Sequence, residues 1–231
     1  MDENLIALLR QVDTPTVCNA IEVAQGKRGF DRFTRGTILS ANPELPAICG
    51  RARTARLRAI APSSEPPETV RTRRMDYYRY MAEALAPAVT VIEDLDWPDC
   101  IGAFWGEVNT TVHKGLGIGG VLTNGVMRDL GDLAPQFQVL AGSIGPSHGF
   151  VHVVDFDQPV SVFGLNVRPG DFVHADRHGA VVVPEDVLPV LGDAIAKMQA
   201  SEALILDPAR APDFDFEAFE QAWTAFEKAR V

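Results

Sequence analysis

Apolar positions in this chain follow two periods, one near 3.6 residues and one of two residues, and the periods alternate along the sequence. The longer period is typical of an amphipathic helix, and alternation or a short β-branched run is typical of a strand. Helices are predicted within residues 14–26, 76–86, 101–114, 129–135, 185–202 and after 212. Strands are predicted at 48–60, 89–92, 120–124, 138–140, 150–156, 160–163, 172–175 and 180–183. This mixture predicts an α/β fold.

Local signals mark the ends of several elements. Thr14-Pro15 resembles a helix cap followed by proline at the first helical position, and Gly26 can end that helix. Three prolines within 61–68 predict an irregular loop, because proline removes backbone donors. We expect a main domain at 1–206, then a linker at 207–212 and a C-terminal amphipathic helix within 207–231. The aromatic stripe of that helix, Phe216, Phe219, Trp223 and Phe226, is expected to pack within the subunit or on a neighbour.

Composition limits the class of protein. A chain of 231 residues with 46% hydrophobic content is expected to bury one sizeable core. The net charge of −10 argues against a nucleic-acid-binding surface as the main function. There are 17 arginines and only 4 lysines. The period-two group Arg51, Arg53, Arg56 and Arg58 is interpreted as a solvated strand face, with an anion site as the alternative.

Cysteine usage and the N-terminal residues bear on location. The three cysteines have no CxxC spacing, which favours a reducing cytoplasm over a disulfide or zinc framework. The start of the chain, Met1-Asp2-Glu3-Asn4, is acidic where a signal peptide would be basic. No apolar run approaches 18 residues, so we expect no membrane partner.

Candidate chemistry is concentrated after the strand predicted at 120–124. The turn signal Asn124-Gly125 is followed closely by Arg128 and Asp129. A guanidinium here can grip a carboxylate with paired hydrogen bonds, and a carboxylate can bind a hard divalent cation. The alternative is a surface ion pair after a turn.

Other candidates are weaker. The glycine-rich run 115–120 follows a predicted helix and precedes a strand, which reverses the order of a dinucleotide-binding motif. His148 and His152 lie about 13 Å apart if they belong to one strand, too far to share an ion. His174 and His178 bracket a predicted turn. The four lysines lie at helix ends or on polar helix faces, which disfavours Schiff-base chemistry.

Three segments together resemble the RraA-like family, which contains divalent-metal pyruvate aldolases and a regulator of ribonuclease E activity. They are Gly106-Glu107, then Gly125-Val126-Met127-Arg128-Asp129, then Pro169-Gly170-Asp171 with the strands around 172–184. The resemblance runs from about residue 14 to 200. It implies a swivelling β/β/α domain with a central β-sheet and flanking helices. Many members carry Asp at the position of Asn124, a difference expected to bear on substrate choice more than on the metal site.

The resemblance also implies a function and a set of site residues. It implies a Mg²⁺- or Mn²⁺-dependent class II aldolase, or decarboxylase, that acts on a 2-oxo acid and releases pyruvate through a metal-stabilised enolate. Asp129 would be the metal ligand and Arg128 would grip the pyruvyl portion. The substrate carboxylate would lie at Gly106 and the backbone amides of Val108 and Asn109, as physics also favours at a helix start.

The role of Glu107 and the class of the protein each have two interpretations. Glu107 is expected either to hold metal-bound water and position a base, or only to favour a helix start through the dipole. The whole protein is expected to be an enzyme, with a non-catalytic regulator-type binding protein of the same fold as the alternative. The family further implies a homotrimer or a dimer of trimers.

Overall fold

The computed structural model describes residues 2–229 and is a mixed α/β structure with a curled central sheet. Its six α-helices within that range are α1 Glu3–Leu9, α2 Thr14–Gln25, α3 Pro67–Ala82, α4 Glu107–Gly115, α5 Leu191–Ala209 and α6 Phe216–Ala229. The strands are β1 Leu39–Ser40, β2 Ile48–Arg58, β3 Ala88–Asp94, β4 Ala103–Trp105, β5 Ile118–Thr123, β6 Val126–Met127, β7 Gln138–Ala141, β8 Ser143–Ile144, β9 His152–Phe156, β10 Val160–Val162, β11 Leu165–Val167, β12 Phe172–Asp176 and β13 Gly179–Val183.

The central sheet has eight strands in the order β1-β7-β5-β3-β2-β12-β13, with β9 also paired to β2. Its middle strands β2, β3, β5 and β7 are parallel, and the flanking strands are antiparallel. Both β5 and β13, predicted at 120–124 and 180–183, belong to it. The predicted α/β fold with a central sheet and flanking helices is therefore confirmed.

Alternation along β3 divides the core between the two faces of the sheet. Val89 and Val91 pack with the hairpin β10–β11, whereas Ala88 and Ile92 pack with α3 and the loop before β7. A third cluster joins α1, α2 and α5 to the outer strands β12 and β13. Because both faces are covered, the middle strands are almost continuously apolar, as buried parallel strands are.

The limits of two helices differ from prediction. The side chain of Asp13, and not Thr14, caps α2 by accepting a hydrogen bond from the Thr16 amide at 2.9 Å. Helix α3 begins at Pro67, inside the stretch predicted to be a loop, and ends at Ala82. Proline is tolerated at the first helical position, because that residue has no intrahelical acceptor to donate to.

Three further predictions of local structure are corrected. Residues 129–135 form turns and not a helix. The helix predicted at 185–202 begins at Leu191, after a 3₁₀ turn at Leu188–Val190. It then continues through Pro208 to Ala209, into the predicted linker. The final helix is present at Phe216–Ala229, with its four aromatic rings in successive contact.

The arginines of β2 form ion pairs, as a solvated strand face would. Arg56 pairs with Asp155, and Arg51 pairs with Glu185. The guanidinium of Arg53 lies 3.5 Å from the centroid of the Tyr80 ring, a cation–π contact. These side chains therefore fasten β2 to the elements around it.

Candidate functional site

A small second sheet brings together two of the segments singled out in the sequence. Strands β4, β6 and β8 are parallel, and Trp105 lies opposite Met127. The amide of Arg128 extends this pairing by donating to the Trp105 carbonyl at 2.8 Å. Because parallel strands end at the same edge, Gly106-Glu107 and Arg128-Asp129 meet there. None of these three short strands was predicted.

Arg128 and Asp129 lie side by side at this edge. The Asp129 carboxylate oxygen Oδ2 accepts a hydrogen bond from the Glu107 amide at 3.2 Å and lies 3.4 Å from Arg128 Nε. The side chains are 30% and 39% exposed, respectively. Among the described residues, Arg128 Nε is buried and has no hydrogen-bond partner, since the 3.4 Å approach to Asp129 lacks hydrogen-bond geometry. Nε is too buried to meet a ligand, but the side chain is partly exposed and no described hydrogen bond uses its two terminal nitrogens, so these are the donors that a ligand could reach.

Gly106 is required by this close approach. Its backbone is extended, so the requirement is space and not an unusual φ angle. A Cβ atom here would overlap Asp129 Oδ2 and would lie 3.0 Å from both Cγ and Nε of Arg128. The absence of a side chain lets the start of α4 approach the Arg128-Asp129 pair.

The first turn of α4 offers backbone donors at the same edge. Gly106 is the N-cap residue and has no side chain to cap the helix, and the Asp129 carboxylate accepts from the Glu107 amide instead. The amide of Thr110 donates to the Gly106 carbonyl at 3.0 Å, whereas those of Val108 and Asn109 precede the first intrahelical bonds. Such amides favour an anion. Glu107 is exposed at the first helical position, which is compatible with both roles considered for it.

Asp129 itself has a backbone conformation uncommon for residues other than glycine. Its φ angle is 54°, in the left-handed region, where Asp and Asn are better tolerated than most residues. Local strain of this kind is frequent at functional sites. The conformation turns the chain immediately after β6, so the carboxylate points back toward the start of α4.

Asn124 has a structural role that the sequence did not indicate. The residue is 4% exposed, so its position does not support the expectation that it influences the choice of substrate. The amide oxygen accepts from the Asp94 backbone N–H at 2.7 Å, and the amide nitrogen donates to the Asp94 carbonyl at 3.1 Å. The Asp94 carboxyl is buried beside it, and burial raises its pKa.

An aromatic cluster beneath α4 was also missed. His113 is completely buried, with Nδ1 2.6 Å from the Asn109 carbonyl and Nε2 2.6 Å from the Tyr77 hydroxyl. A carbonyl can only accept, so Nδ1 carries the proton and Nε2 accepts from Tyr77. Burial lowers the pKa of His113 to about 4 and raises that of Tyr77. The helical spacing of His113 from Thr110 was the available signal, since both lie on the buried face.

The third segment lies in the central sheet and not at this edge. Asp171 accepts from the Arg168 amide at 2.9 Å and pairs with Arg32 at 3.0 Å. Asp176 accepts from the Thr14 amide at 3.1 Å and from His178 Nδ1 at 3.0 Å. No described hydrogen bond joins this segment to Arg128 or Asp129. Its residues therefore hold the outer strands in place.

The glycine-rich run at 115–120 follows helix α4 and leads into strand β5. The predicted order of helix, glycines and strand is therefore present. Residues 117–119 line a groove of about 560 Å³ at the amino ends of the parallel strands. The edge that carries Arg128 and Asp129 lies near the carboxyl ends of the same parallel strands. The groove is thus separated from the candidate site by the length of the strands.

Metal-binding capacity at the edge is limited to few protein ligands. Within residues 2–229, no group of three or more His, Cys, Asp or Glu side chains could hold a metal ion together. His148 and His152 each contact a neighbouring carbonyl, those of Gly149 at 2.7 Å and Phe150 at 2.8 Å. A cation at Asp129 would therefore keep most of its coordination sphere for water or a ligand.

Comparison with known proteins agrees with this architecture. A family model for RraA-like proteins, described as Aldolase/RraA, matches residues 14–182. The chain therefore belongs to the RraA-like family. Within the described residues, no helix is both long and apolar enough to cross a membrane.

Two sequence relatives are similar over about half of the chain. A protein of Halalkalibacterium halodurans named as a 4-hydroxy-4-methyl-2-oxoglutarate aldolase is 30% identical over 115 residues, 47% of this chain and 55% of the relative. An uncharacterised protein of Methanocaldococcus jannaschii is 30% identical over 105 residues, 45% of this chain and 50% of the relative. The chain thus spans about half the length of these curated relatives.

Solved structures share the fold at low sequence identity. An uncharacterised protein of Pseudomonas syringae has a TM-score of 0.72 at 20% identity, covering 97% of this chain and 94% of its own. An RraA-family protein of Streptomyces coelicolor, described as an unusual member of an RNase ES inhibitor family, has a TM-score of 0.65 at 21% identity, covering 87% and 95%. These similarities establish the fold alone.

Proposed function

We propose that this protein is a divalent-metal-dependent carbon–carbon lyase, an aldolase or decarboxylase that acts on a 2-oxo acid and releases pyruvate. The observation that carries the proposal is the partly exposed guanidinium of Arg128 beside the exposed carboxylate of Asp129, with 3.4 Å between Nε and Oδ2. The reaction requires a group that binds the substrate and a ligand for the metal ion. A guanidinium can bind the anionic substrate, and a carboxylate at the same edge can coordinate the cation.

The chemistry at this edge fits Mg²⁺ or Mn²⁺. Mg²⁺ prefers oxygen ligands, retains several waters and is commonly held by one or two carboxylates together with the substrate. Asp129 supplies one such carboxylate, and Gly106 keeps the space beside it free of a side chain. When bound, the ion would supply Lewis acidity that withdraws electrons from the keto group of the substrate.

Arg128 and the start of α4 would hold and orient the substrate. The planar guanidinium of Arg128 suits a keto-acid oxygen pair, because its donors form a rigid fork. The amides of Val108 and Asn109 would receive the carboxylate, where the helix dipole favours negative charge. The substrate would thereby span the short distance between β6 and α4.

Glu107 would take part through water. Its carboxylate is exposed at the helix start, next to the amide that donates to Asp129 at 3.2 Å. We assign it the positioning of a water molecule that acts as the base for the reaction. The opposing role, a carboxylate favoured only by the helix dipole, predicts that its amide variant turns over normally.

Exposed apolar side chains around the edge support an assembly in which subunits meet near the site. Val108, Leu130 and Ile144 are 66%, 43% and 55% exposed. Removing such surfaces from water stabilises association by about 25 cal/mol per Å² of apolar area. We propose a homotrimer or a dimer of trimers, which light scattering at micromolar concentration tests. A stable monomer near 25 kDa contradicts it.

The family also includes RraA regulators, so a binding protein without turnover is the alternative. The decisive experiment measures the thermal shift caused by oxalate, a mimic of the enolate form of pyruvate, with and without Mg²⁺ or Mn²⁺. We expect stabilisation only with the metal, because ligand binding to the folded state raises apparent stability.

Pyruvate release from a panel of 2-oxo acids should depend on metal and stop with EDTA. Borohydride with substrate should trap nothing on lysine, since no Schiff base forms. Metal-independent shifts without turnover on any substrate of the panel would replace the enzyme with the regulator-type alternative.

A further inference from the structure

Helix α3 contacts helix α4 through two consecutive tyrosines. The Tyr77 hydroxyl lies 2.6 Å from His113 Nε2, in the core and toward the end of α4. The Tyr78 hydroxyl donates to Asn109 Oδ1 at 2.7 Å, in the first turn of α4. Tyr77 is completely buried and Tyr78 is half-buried. The two tyrosines therefore hold the two ends of the same helix.

Asn109 connects this contact to the candidate site. Its side-chain nitrogen donates to the Phe104 carbonyl at 2.7 Å, and its side-chain oxygen accepts from Tyr78. Its backbone carbonyl accepts from His113 Nδ1 at 2.6 Å. With both side-chain groups and the carbonyl engaged, the peptide plane of this residue is restrained. Its backbone N–H is among the donors that face the edge beside Arg128.

Helix α3 is itself fastened to the sheet, so the restraint is transmitted from a fixed element. Arg73 donates to the Val153 carbonyl of β9 at 3.4 Å and also pairs with Glu65, in the loop before α3, at 2.5 and 2.6 Å. Arg74 donates to the Val151 carbonyl at 3.3 Å. The segment 61–75, with its prolines and arginines, thus anchors the helix that carries Tyr78.

We infer that Tyr78 is a positioning residue for the site: through Asn109 it fixes the first turn of α4 and so aims the amides of Val108 and Asn109 at an anion. The part of this inference that concerns a substrate carboxylate rests on the proposed function. The part that concerns the order of the helix turn does not. We assign the role to Tyr78 because its hydroxyl bonds directly to Asn109 in the first turn, whereas the Tyr77 hydroxyl bonds to His113 toward the end of the helix.

The test compares Tyr78→Phe with Tyr77→Phe, two variants that each remove one hydroxyl from the same helix. Arg79→Ala is the control, since Arg79 is exposed on α3 and, within residues 2–229, its ion pair is with Asp76, three residues away. Amide hydrogen exchange at Thr110 reports the order of the first turn, because this amide donates to Gly106. Calorimetry with oxalate in saturating Mg²⁺ reports anion binding.

In Tyr78→Phe we expect faster exchange at Thr110 and about fivefold weaker oxalate binding, the size of one lost hydrogen bond. Its melting temperature should change little, since the ring still packs. Tyr77→Phe should show the reverse: a lower melting temperature, because His113 Nε2 loses its partner in the core, with oxalate affinity within about twofold of wild type. Arg79→Ala should match wild type throughout.

Two results would overturn the inference. One is unchanged Thr110 exchange in Tyr78→Phe. The other is equal loss of oxalate affinity in both tyrosine variants, which would make the effect one of general packing between α3 and α4. If wild-type protein binds no oxalate with Mg²⁺, the proposed function fails, and the exchange contrast at Thr110 still decides the positioning role.

Discussion

The side chain of Asn124 bridges the ends of β5 and β3 by bonding to both backbone polar groups of Asp94, at 2.7 and 3.1 Å. An amide suits this bridge because it supplies one acceptor and one donor, whereas an ionised carboxylate of the same shape can only accept. The next residue, Gly125, begins the segment that leads through β6 to Arg128 and Asp129. The bridge therefore fixes the point from which the candidate site extends.

Asn124→Asp should lower the free energy of unfolding by about 2–3 kcal/mol at pH 7. The carboxylate cannot donate to the Asp94 carbonyl, and it places a second acidic group beside the buried Asp94 side chain. Urea unfolding measures the change. Asn42→Asp, which adds the same charge at an exposed position, should cost less than about 0.5 kcal/mol. Equal effects of the two substitutions would remove the special role of the bridge.

Gly106→Ala should weaken oxalate binding in the presence of Mg²⁺ by at least about tenfold, or roughly 1.4 kcal/mol. The added methyl group overlaps the Asp129 carboxylate and pushes against Arg128, so the start of α4 and the pair must separate. Gly131→Ala is the matched control, because a Cβ at that position meets no atom within 4 Å. Calorimetry that finds the two variants equal would contradict the requirement for space.

Asp129→Asn should abolish measurable Mg²⁺ and Mn²⁺ binding in calorimetry. The amide keeps the shape of the side chain and tolerates the positive φ angle, but it lacks the charge that a hard cation needs. Asp132→Asn removes a nearby exposed charge and should leave metal affinity unchanged. Wild-type affinity in Asp129→Asn would show that the metal ligand lies elsewhere.

Arg128→Lys should reduce kcat/KM by at least about tenfold while the melting temperature stays near that of wild type. Lysine keeps the charge but loses the planar fork of donors. The side chain is only partly buried, so its replacement leaves no large cavity. Unchanged kinetics, or a large fall in melting temperature, would assign Arg128 to a structural ion pair instead.

Burial of His113 should make stability depend on pH. Its pKa is lowered by burial to about 4, compared with 6.5 in the unfolded chain. The unfolded state therefore binds the proton first as pH falls. The contribution of His113 is complete above about pH 6.5 and declines toward pH 4, by on the order of 3 kcal/mol.

The check is the slope of unfolding free energy against pH in wild type and His113→Gln. The variant should have a shallower slope between pH 6.5 and 4, whatever its absolute stability. His174, whose pKa is also lowered by burial, remains in both proteins and sets the common background. Parallel slopes would indicate that the pKa of His113 in the folded protein is close to its value in the unfolded chain.

The sequence allowed the central sheet and most helices to be predicted, because buried strands such as β3 and amphipathic helices such as α2 have strong periodic patterns. The start of α3 was missed, since proline signals both a loop and a first helical position. Residues 129–135 were predicted to form a short helix, but they form turns.

At the candidate site, the sequence indicated which residues matter but did not predict the short strands that bring them together. Gly106, Glu107, Arg128 and Asp129 were singled out because their order and spacing resemble the pattern of the RraA-like family. Strands β4, β6 and β8 have only two or three residues each, too few for any period to show. The side-chain bridge from Asn124 and the contact of Tyr78 with Asn109 depend on long-range geometry, which a single sequence does not encode visibly.

The small sheet of β4, β6 and β8 should tolerate substitutions better than changes in chain length. Its register relies on a few backbone hydrogen bonds, such as the one from Arg128 to Trp105 at 2.8 Å. Many substitutions would leave these bonds intact, whereas deleting one residue within β4 or β6 would shift everything beyond it by about 3.3 Å. That shift would separate Gly106 from Asp129. Insertions and deletions across 103–105 and 126–127 should therefore be selected against far more strongly than substitutions, while the exposed turn at 130–132 can vary in length.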